Sequence, residues 1–482
     1  MRWNTVLNLI GLIILCLGGT MLFPLFVSLI YHDGSTSPIM ISMILTILSG
    51  TTLYFSFSQK GKRQISQREG MAIVALGWTA VALFGSLPFL LDGVFTNFID
   101  AFFESVSGFT TTGASVLTDI ESVSKSILFW RSFIQWLGGM GIIVFSLAIL
   151  PFLGVGGMQL FKAEVPSPVP DKLVPRLSDT AKILWKVYIL ISIVQVVALM
   201  LGGMDLFDAI CHASTTMPTG GFSTKNSSMA HFDSAYLDFI VVLFMLLAGI
   251  NFSLHYQFLK GETLIFWRDK ECRCFFAIVI IFTMIITFDI FGDVYKSIVD
   301  AFRYASFQVV SIVTTTGYAT ADYEKWPAMS QLIIFFCMFL GASAGSTGGG
   351  MKIIRIMISI KYFYRELFSM IHPHSISQVK IGGNVISEDV MKSIMGFMGL
   401  YIILFIICSI ILAGLGVDFL TAISAVASSL GNIGPGFGMV GPVENYAAIP
   451  TLGKWLLAWC MLLGRLEIYT FIILLVPEFW KK

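Results

Sequence analysis

Thr110-Thr111-Thr112-Gly113-Ala114, Pro218-Thr219-Gly220-Gly221-Phe222, Thr314-Thr315-Thr316-Gly317-Tyr318 and Gly431-Asn432-Ile433-Gly434-Pro435 interrupt an otherwise very apolar chain at similar intervals. Irregular backbone at membrane depth is tolerated only where protein buries it or where it lines a wet cavity. Four related polar loops in one hydrophobic chain therefore read as four walls of a single pore. Potassium filters are built from four such Thr/Gly-rich loops, whose carbonyl oxygens replace the water around the ion.

The surrounding composition agrees. Of 482 residues, 56% are hydrophobic and only 12% charged, against about 25% charged in soluble domains. No soluble fold of this length hides so much apolar surface, so the chain reads as an all-α integral membrane protein in the lipid bilayer. A net charge of +1 singles out no partner and gives no sign of nucleic-acid binding. The seven cysteines are scattered, and Cys272-x-Cys274 falls short of the C-x2-C spacing and further ligands of metal sites. His372 and His374 flank a proline in a polar stretch and read as surface residues.

Apolar runs long enough to span place about ten transmembrane helices, near 4–30, 38–58, 70–92, 127–151, 182–203, 236–259, 275–295, 332–363 (interrupted), 393–414 and 454–478. The first is too long for a signal-peptide core. Shorter segments near 98–109, 206–217, 301–313 and 418–430 each run directly into one of the four loops and read as re-entrant helices.

Aligning the chain on Gly113, Gly221, Gly317 and Gly434 exposes a repeat. Ala101, Ala209, Ala305 and Ala422 coincide, as do the small hydroxyl residues Ser107, Thr215, Ser311 and Ser428. Downstream, Leu137-Gly138, Leu247-Ala248, Leu340-Gly341 and Leu463-Gly464 coincide. The expected layout is a two-helix preface, 1–66, and four units of helix, half-helix, loop and helix at 67–153, 178–262, 272–366 and 390–480. With the N-terminus inside, most Lys and Arg fall on the cytoplasmic side, which places the four loops outside and both termini in the cytoplasm.

The chemistry follows from this layout. A half-helix entering from outside points its partly negative C-terminal end at mid-membrane, favouring a cation. Thr110, Thr111, Thr112 and Gly113, Pro218, Thr219, Gly220 and Gly221, Thr314, Thr315, Thr316 and Gly317, and Gly431, Asn432, Ile433 and Gly434 are the expected filter. Glycine permits positive φ or close chain approach. The loops carry no acidic ring, which suits a weakly hydrated monovalent cation such as K+. Only 314–318 approaches the potassium-channel pattern closely, so a less selective Na+/K+/Rb+ pathway is the alternative. A multi-span transferase is a distant second alternative, because the six histidines do not cluster with paired carboxylates.

Two further features read as a gate. Gly345-Ser346-Thr347-Gly348-Gly349-Gly350 breaks the eighth span, and Gly lowers helix stability by roughly 1 kcal/mol relative to Ala. The same run also suits tight helix packing. Arg465 stands inside a span where the other units have Gly139, Gly249 and Ala342. An intramembrane charge is costly and usually functional. The reading is a cation obstructing the pore; an ion pair with Glu467 is the structural alternative. Nothing in the chain reads as a strand, a Gly-x-Gly-x-x-Gly turn and a helix in succession, and no Walker motif occurs, so the chain is expected to hold no nucleotide site of its own.

These loops, with the run Gly341–Gly350 and Leu463-Gly464-Arg465-Leu466-Glu467, resemble the bacterial TrkH/TrkG potassium uptake proteins, within the superfamily that includes KtrB and fungal Trk transporters. The resemblance covers essentially the whole chain. It implies K+ as the transported ion, a homodimer in the bacterial inner membrane, and a cytoplasmic TrkA-like nucleotide-binding regulatory subunit. It also implies that the four glycines line the filter, that the Gly-rich loop gates and that Arg465 obstructs the pore.

Overall fold

The computed structural model describes residues 1–58, 66–141, 177–375, 377–382 and 384–480. The tail of the span expected at 127–151 lies outside them. Among the described residues, Trp3–Tyr31, Thr36–Ser56, Arg68–Leu91, Ala181–Leu201, Lys270–Ile290 and Glu388–Gly414 are helices long and apolar enough to cross a membrane. Large side chains such as Ile193, Phe288 and Ile410 are exposed on them, as lipid-facing surfaces require.

Lipid offers no hydrophobic drive for helix association, so close approach over small residues takes its place. The first two helices meet this way. A Cβ on Gly11 would lie 2.6 Å from the Tyr54 N, and one on Gly50 would lie 2.5 Å from the Leu15 N. Asn8 Nδ2 donates to the Tyr54 carbonyl at 2.6 Å beside them. Arg2 grips Glu69 with Nε and Nη2, at 2.8 and 2.7 Å, tying the first helix to the third.

The four short helices are present as Phe98–Phe109, Leu206–Thr216, Ile298–Val313 and Phe419–Gly431. The third starts before the expected 301, because the Ser297 side chain caps the Asp300 N–H at 3.4 Å and opens the helix there.

The helices after the loops depart from the sequence expectation. They were expected to be continuous except at 332–363, yet two others bend sharply and the first changes from α to π geometry at a corresponding level. Lys125–Trp136 passes into a π-helical turn, Leu137–Gly141. Ala235–Gly249 bends by 101° into Phe252–Leu259, and Thr451–Arg465 by 114° into Tyr469–Leu475. Ala328–Cys337 gives way to the Gly-rich run before Ile353–Ile371. Hydropathy reports that a run is apolar but carries no information on its direction. At the second break Asn251 accepts from Ser253 N at 2.9 Å and restarts the helix.

Candidate functional site

Each short helix ends with the same hydrogen bonds. The N–H groups of Thr112, Gly220, Thr316 and Ile433 donate to the carbonyls of Ser107, Thr215, Ser311 and Ser428 at 2.8, 2.8, 2.8 and 3.0 Å. The preceding N–H groups, of Thr111, Thr219, Thr315 and Asn432, donate to Gly108, Thr216, Ile312 and Ser429 at 3.0, 2.9, 3.0 and 3.3 Å. This is the Schellman ending, whose penultimate residue is left-handed and usually Gly or Asn. Here it is threonine three times, with φ of 54° at Thr111, 57° at Thr219 and 60° at Thr315, and asparagine once, with 54° at Asn432. A β-branched residue at positive φ is an outlier. Such strain, of order 1–3 kcal/mol, persists where surroundings enforce it and gathers at functional sites.

Two residues further on, Gly113, Gly221, Gly317 and Gly434 also have positive φ. A Cβ on Gly113 would strike the Gly220 carbonyl oxygen. One on Gly221 would strike that of Thr316, and one on Gly317 that of Ile433. A Cβ on Gly434 would lie 2.8 Å from the Thr112 oxygen. Each glycine thus presses on the residue before the next glycine, and the fourth loop returns to the first. The four loops close a ring.

Buried polar ties hold each neighbouring pair. Arg131 pairs with Glu104 at 2.6 Å and donates to the Ser223 carbonyl at 2.8 Å, while Glu104 accepts from Val116 N at 2.9 Å. The Arg131 guanidinium also lies 3.6 Å from the Phe222 ring centroid. Tyr318 Oη donates to the His212 carbonyl at 3.1 Å, and Tyr323 Oη to that of Gly436 at 2.7 Å. Tyr446 N donates to the Ser115 carbonyl at 2.8 Å. At the start of the fourth short helix, Asp418 caps it by accepting from Thr421 N at 3.1 Å. Hydrogen bonds from Thr421 hold the Asp418 carboxyl below its usual range.

The loops differ in their side chains. Thr110 and Thr112 hydroxyls bond at 2.8 Å, as do those of Thr314 and Thr316. Asn432 Nδ2 reaches Thr112 Oγ1 and the Met461 carbonyl, both at 2.9 Å. The Thr111 hydroxyl and Asn432 Oδ1 are buried without a protein hydrogen-bond partner. Buried polar atoms without partners are rare, and each calls for an explanation such as an ion or a water.

The Gly-rich run packs against this ring. Gly349 N donates to Thr315 Oγ1 at 2.7 Å, and Thr347 Oγ1 to the Met217 carbonyl at 2.9 Å. Glu271 accepts from Ala344 N at 2.7 Å and Ile354 N at 3.1 Å, holding both ends of the run, and Lys352 Nζ donates to the Gly348 carbonyl within it. Arg465 donates to the carbonyls of Thr347, Gly138 and Gly139 at 2.7, 3.0 and 3.1 Å. Glu467, weighed from the sequence as a partner of Arg465, pairs with Arg355. Glu467 and Ile468, with φ of 59° and 44°, turn the chain just after the helix that ends at Arg465.

The four expected filter loops meet in the ring, Thr347, Gly348 and Gly349 contact them, and Arg465 joins the Gly-rich run through the Thr347 carbonyl, while Gly345 and Gly350 lie against Asn251 and Leu340-Gly341. Sequence reasoning missed Glu104, Arg131, Gln135 and Glu271; polar side chains in or beside apolar runs were the available signal. Among the described residues no cluster of His, Cys, Asp and Glu is arranged to hold a metal ion, and His372 and His374 are exposed.

The comparisons with known proteins agree with one another. Residues 35–482 match the family described as "TrkH: Cation transport protein". The Trk system potassium uptake protein TrkH of Escherichia coli (strain K12) is 40% identical over 489 residues, covering all of both chains. The Trk system potassium uptake protein TrkG of the same organism is 34% identical, covering 99% of each. The crystal structure of the potassium transporter TrkH from Vibrio parahaemolyticus superposes with a TM-score of 0.90 at 39% identity, over the full length of both chains. These are transporters, and the transferase alternative is left without support. The chain belongs to the TrkH family of cation transport proteins.

Proposed function

We propose that this protein carries K+ into the cell through one pore whose filter is the ring of four glycine loops. The observation that carries this reading is the closed sequence of contacts from Gly113 through Gly221, Gly317 and Gly434 back to Thr112. Helix C-termini converge on that ring, their carbonyls favour a cation, and strained threonines and unpartnered buried oxygens stand at its inner edge. Ion selectivity then rests on backbone dipoles and threonine oxygens rather than on acidic side chains.

On this reading the chain is a two-helix preface followed by four units, 67–153, 178–262, 272–366 and 390–480, about the pore axis. Gly345–Gly350 and Arg465 close the path on the cytoplasmic side of the ring. The positive-inside bias supports cytoplasmic termini in a bacterial inner membrane. The names of the relatives support membership of a Trk system, and thereby a cytoplasmic TrkA-type nucleotide-binding subunit. A homodimer completes the proposal.

The test is cation flux in liposomes holding the purified protein, with K+, Rb+ and Na+ compared for the parent chain and for Arg465→Ala. Flux of K+ and Rb+ well above Na+ is expected in at least the Arg465→Ala protein. No flux in either, or equal flux of all three ions, would contradict the reading.

A further inference from the structure

The second loop lacks the internal brace of the first and third. Pro218 and Gly220 stand where those loops carry the hydroxyl pairs Thr110–Thr112 and Thr314–Thr316. A side chain from the preceding unit fills the gap. Gln135, fully buried near the end of the helix Lys125–Trp136, donates from Nε2 to the Gly220 carbonyl at 2.7 Å. Its Oε1 accepts from Phe222 N at 3.2 Å. Both bonds fall on the backbone flanking Gly221. The fit is reciprocal, because a Cβ on Gly220 would collide with the Gln135 amide. Gly220 is not at positive φ, so the space claimed by Gln135, rather than backbone conformation, accounts for glycine there.

The repeat sharpens the point. At the register of Gln135 the other units carry Met245, Met338 and Met461, all buried and nearly isosteric with glutamine. The fourth loop, with Gly431 and Ile433 at the same positions, also lacks the hydroxyl pair but carries an amide of its own, Asn432, which donates to the Met461 carbonyl at 2.9 Å; the second loop has none and takes its amide from Gln135. A carbonyl oxygen has two lone pairs, so the Gln135 bond fixes the Gly220 carbonyl and leaves it able to accept again.

We propose that Gln135 is a positioning residue for ion selectivity, holding the second loop in register with the other three through the Gly220 carbonyl and the Phe222 N–H. The proposal rests on the filter reading above, and the experiment separates the two.

K+ over Na+ permeability is measured in liposomes for the parent chain, Gln135→Met, Gly221→Ala, and the triple variant Gln135→Ala, Pro218→Thr, Gly220→Thr. The triple variant gives the second loop the hydroxyl pair of the first and third. Loss of a buried hydrogen-bond pair is expected to lower the selectivity ratio about fivefold in Gln135→Met while the protein stays monodisperse. The triple variant is expected to restore the parental ratio, which a general loss of stability would not allow. If Gln135→Met fails to accumulate, Gln135→Glu is read instead, since it keeps the acceptor for Phe222 and loses the donor to Gly220. A parental ratio in the Gln135 variant beside a lost ratio in Gly221→Ala overturns the role of Gln135 and leaves the filter reading intact. A parental ratio in both overturns the filter reading as well.

Discussion

Arg465→Ala is expected to raise K+ flux about a hundredfold. In the parent chain the guanidinium spans from the Gly-rich run, at the Thr347 carbonyl, to the π-helical turn, at Gly138 and Gly139. A unit charge roughly 6 Å from the ion's path costs a passing cation about 2.8 kcal/mol at an effective dielectric constant near 20. At about 1.4 kcal/mol per decade, removing it speeds passage roughly a hundredfold. The same side chain also tethers the Gly-rich run, so two substitutions separate charge from tether. Arg465→Lys keeps the charge and loses the planar fork; Arg465→Gln loses the charge and keeps a donor. If charge is the barrier, Lys stays near the parental rate and Gln approaches Ala. If the tether dominates, Lys approaches Ala. The assay is 86Rb+ uptake into proteoliposomes, normalised to monodisperse protein. A flux in Arg465→Ala at or below the parental rate would show that Arg465 does not obstruct the path.

Gly317→Ala puts a methyl group against the Ile433 carbonyl at a φ of 80°, and K+ uptake by cells lacking other K+ uptake systems is expected to fail. Thr347→Val removes the hydroxyl bonds to the Met217 and Ala248 carbonyls, freeing the Gly-rich run and raising 86Rb+ flux severalfold. Glu104→Gln leaves Arg131 buried without its charge partner, at a cost of about 3–5 kcal/mol. A large fall in thermal midpoint is expected in detergent, with a smaller one in the double variant Glu104→Leu, Arg131→Met. Asp418→Ala removes a helix cap worth about 1 kcal/mol. Because hydrogen bonds depress the folded-state pKa of Asp418, its contribution is fully present above the unfolded value near 3.9 and fades as pH falls through the folded value. Melting the parent and the variant at neutral and acid pH should show their difference shrink in acid.

The loops were legible in the sequence because glycine and threonine are conspicuous in apolar runs. Aligning on Gly113, Gly221, Gly317 and Gly434 also located Ser107, Thr215, Ser311 and Ser428, whose carbonyls close the four helix endings. The left-handed threonines were not legible, since propensity argues against positive φ at β-branched residues. The bends after Gly249 and Arg465 were hidden because 236–259 and 454–478 are as apolar as straight spans. The braces Gln135 and Glu104–Arg131 act across units, through contacts between residues far apart in the chain. A single sequence records that such residues are polar and costly to bury, but not what they hold.

An anomalous difference map from crystals grown in Rb+ puts the four-loop filter to the test. Peaks ringed by carbonyl oxygens of all four loops, beside Gly113, Gly221, Gly317 and Gly434, are the expected result. Ordered Rb+ elsewhere in the membrane region, with none at the ring, would contradict it.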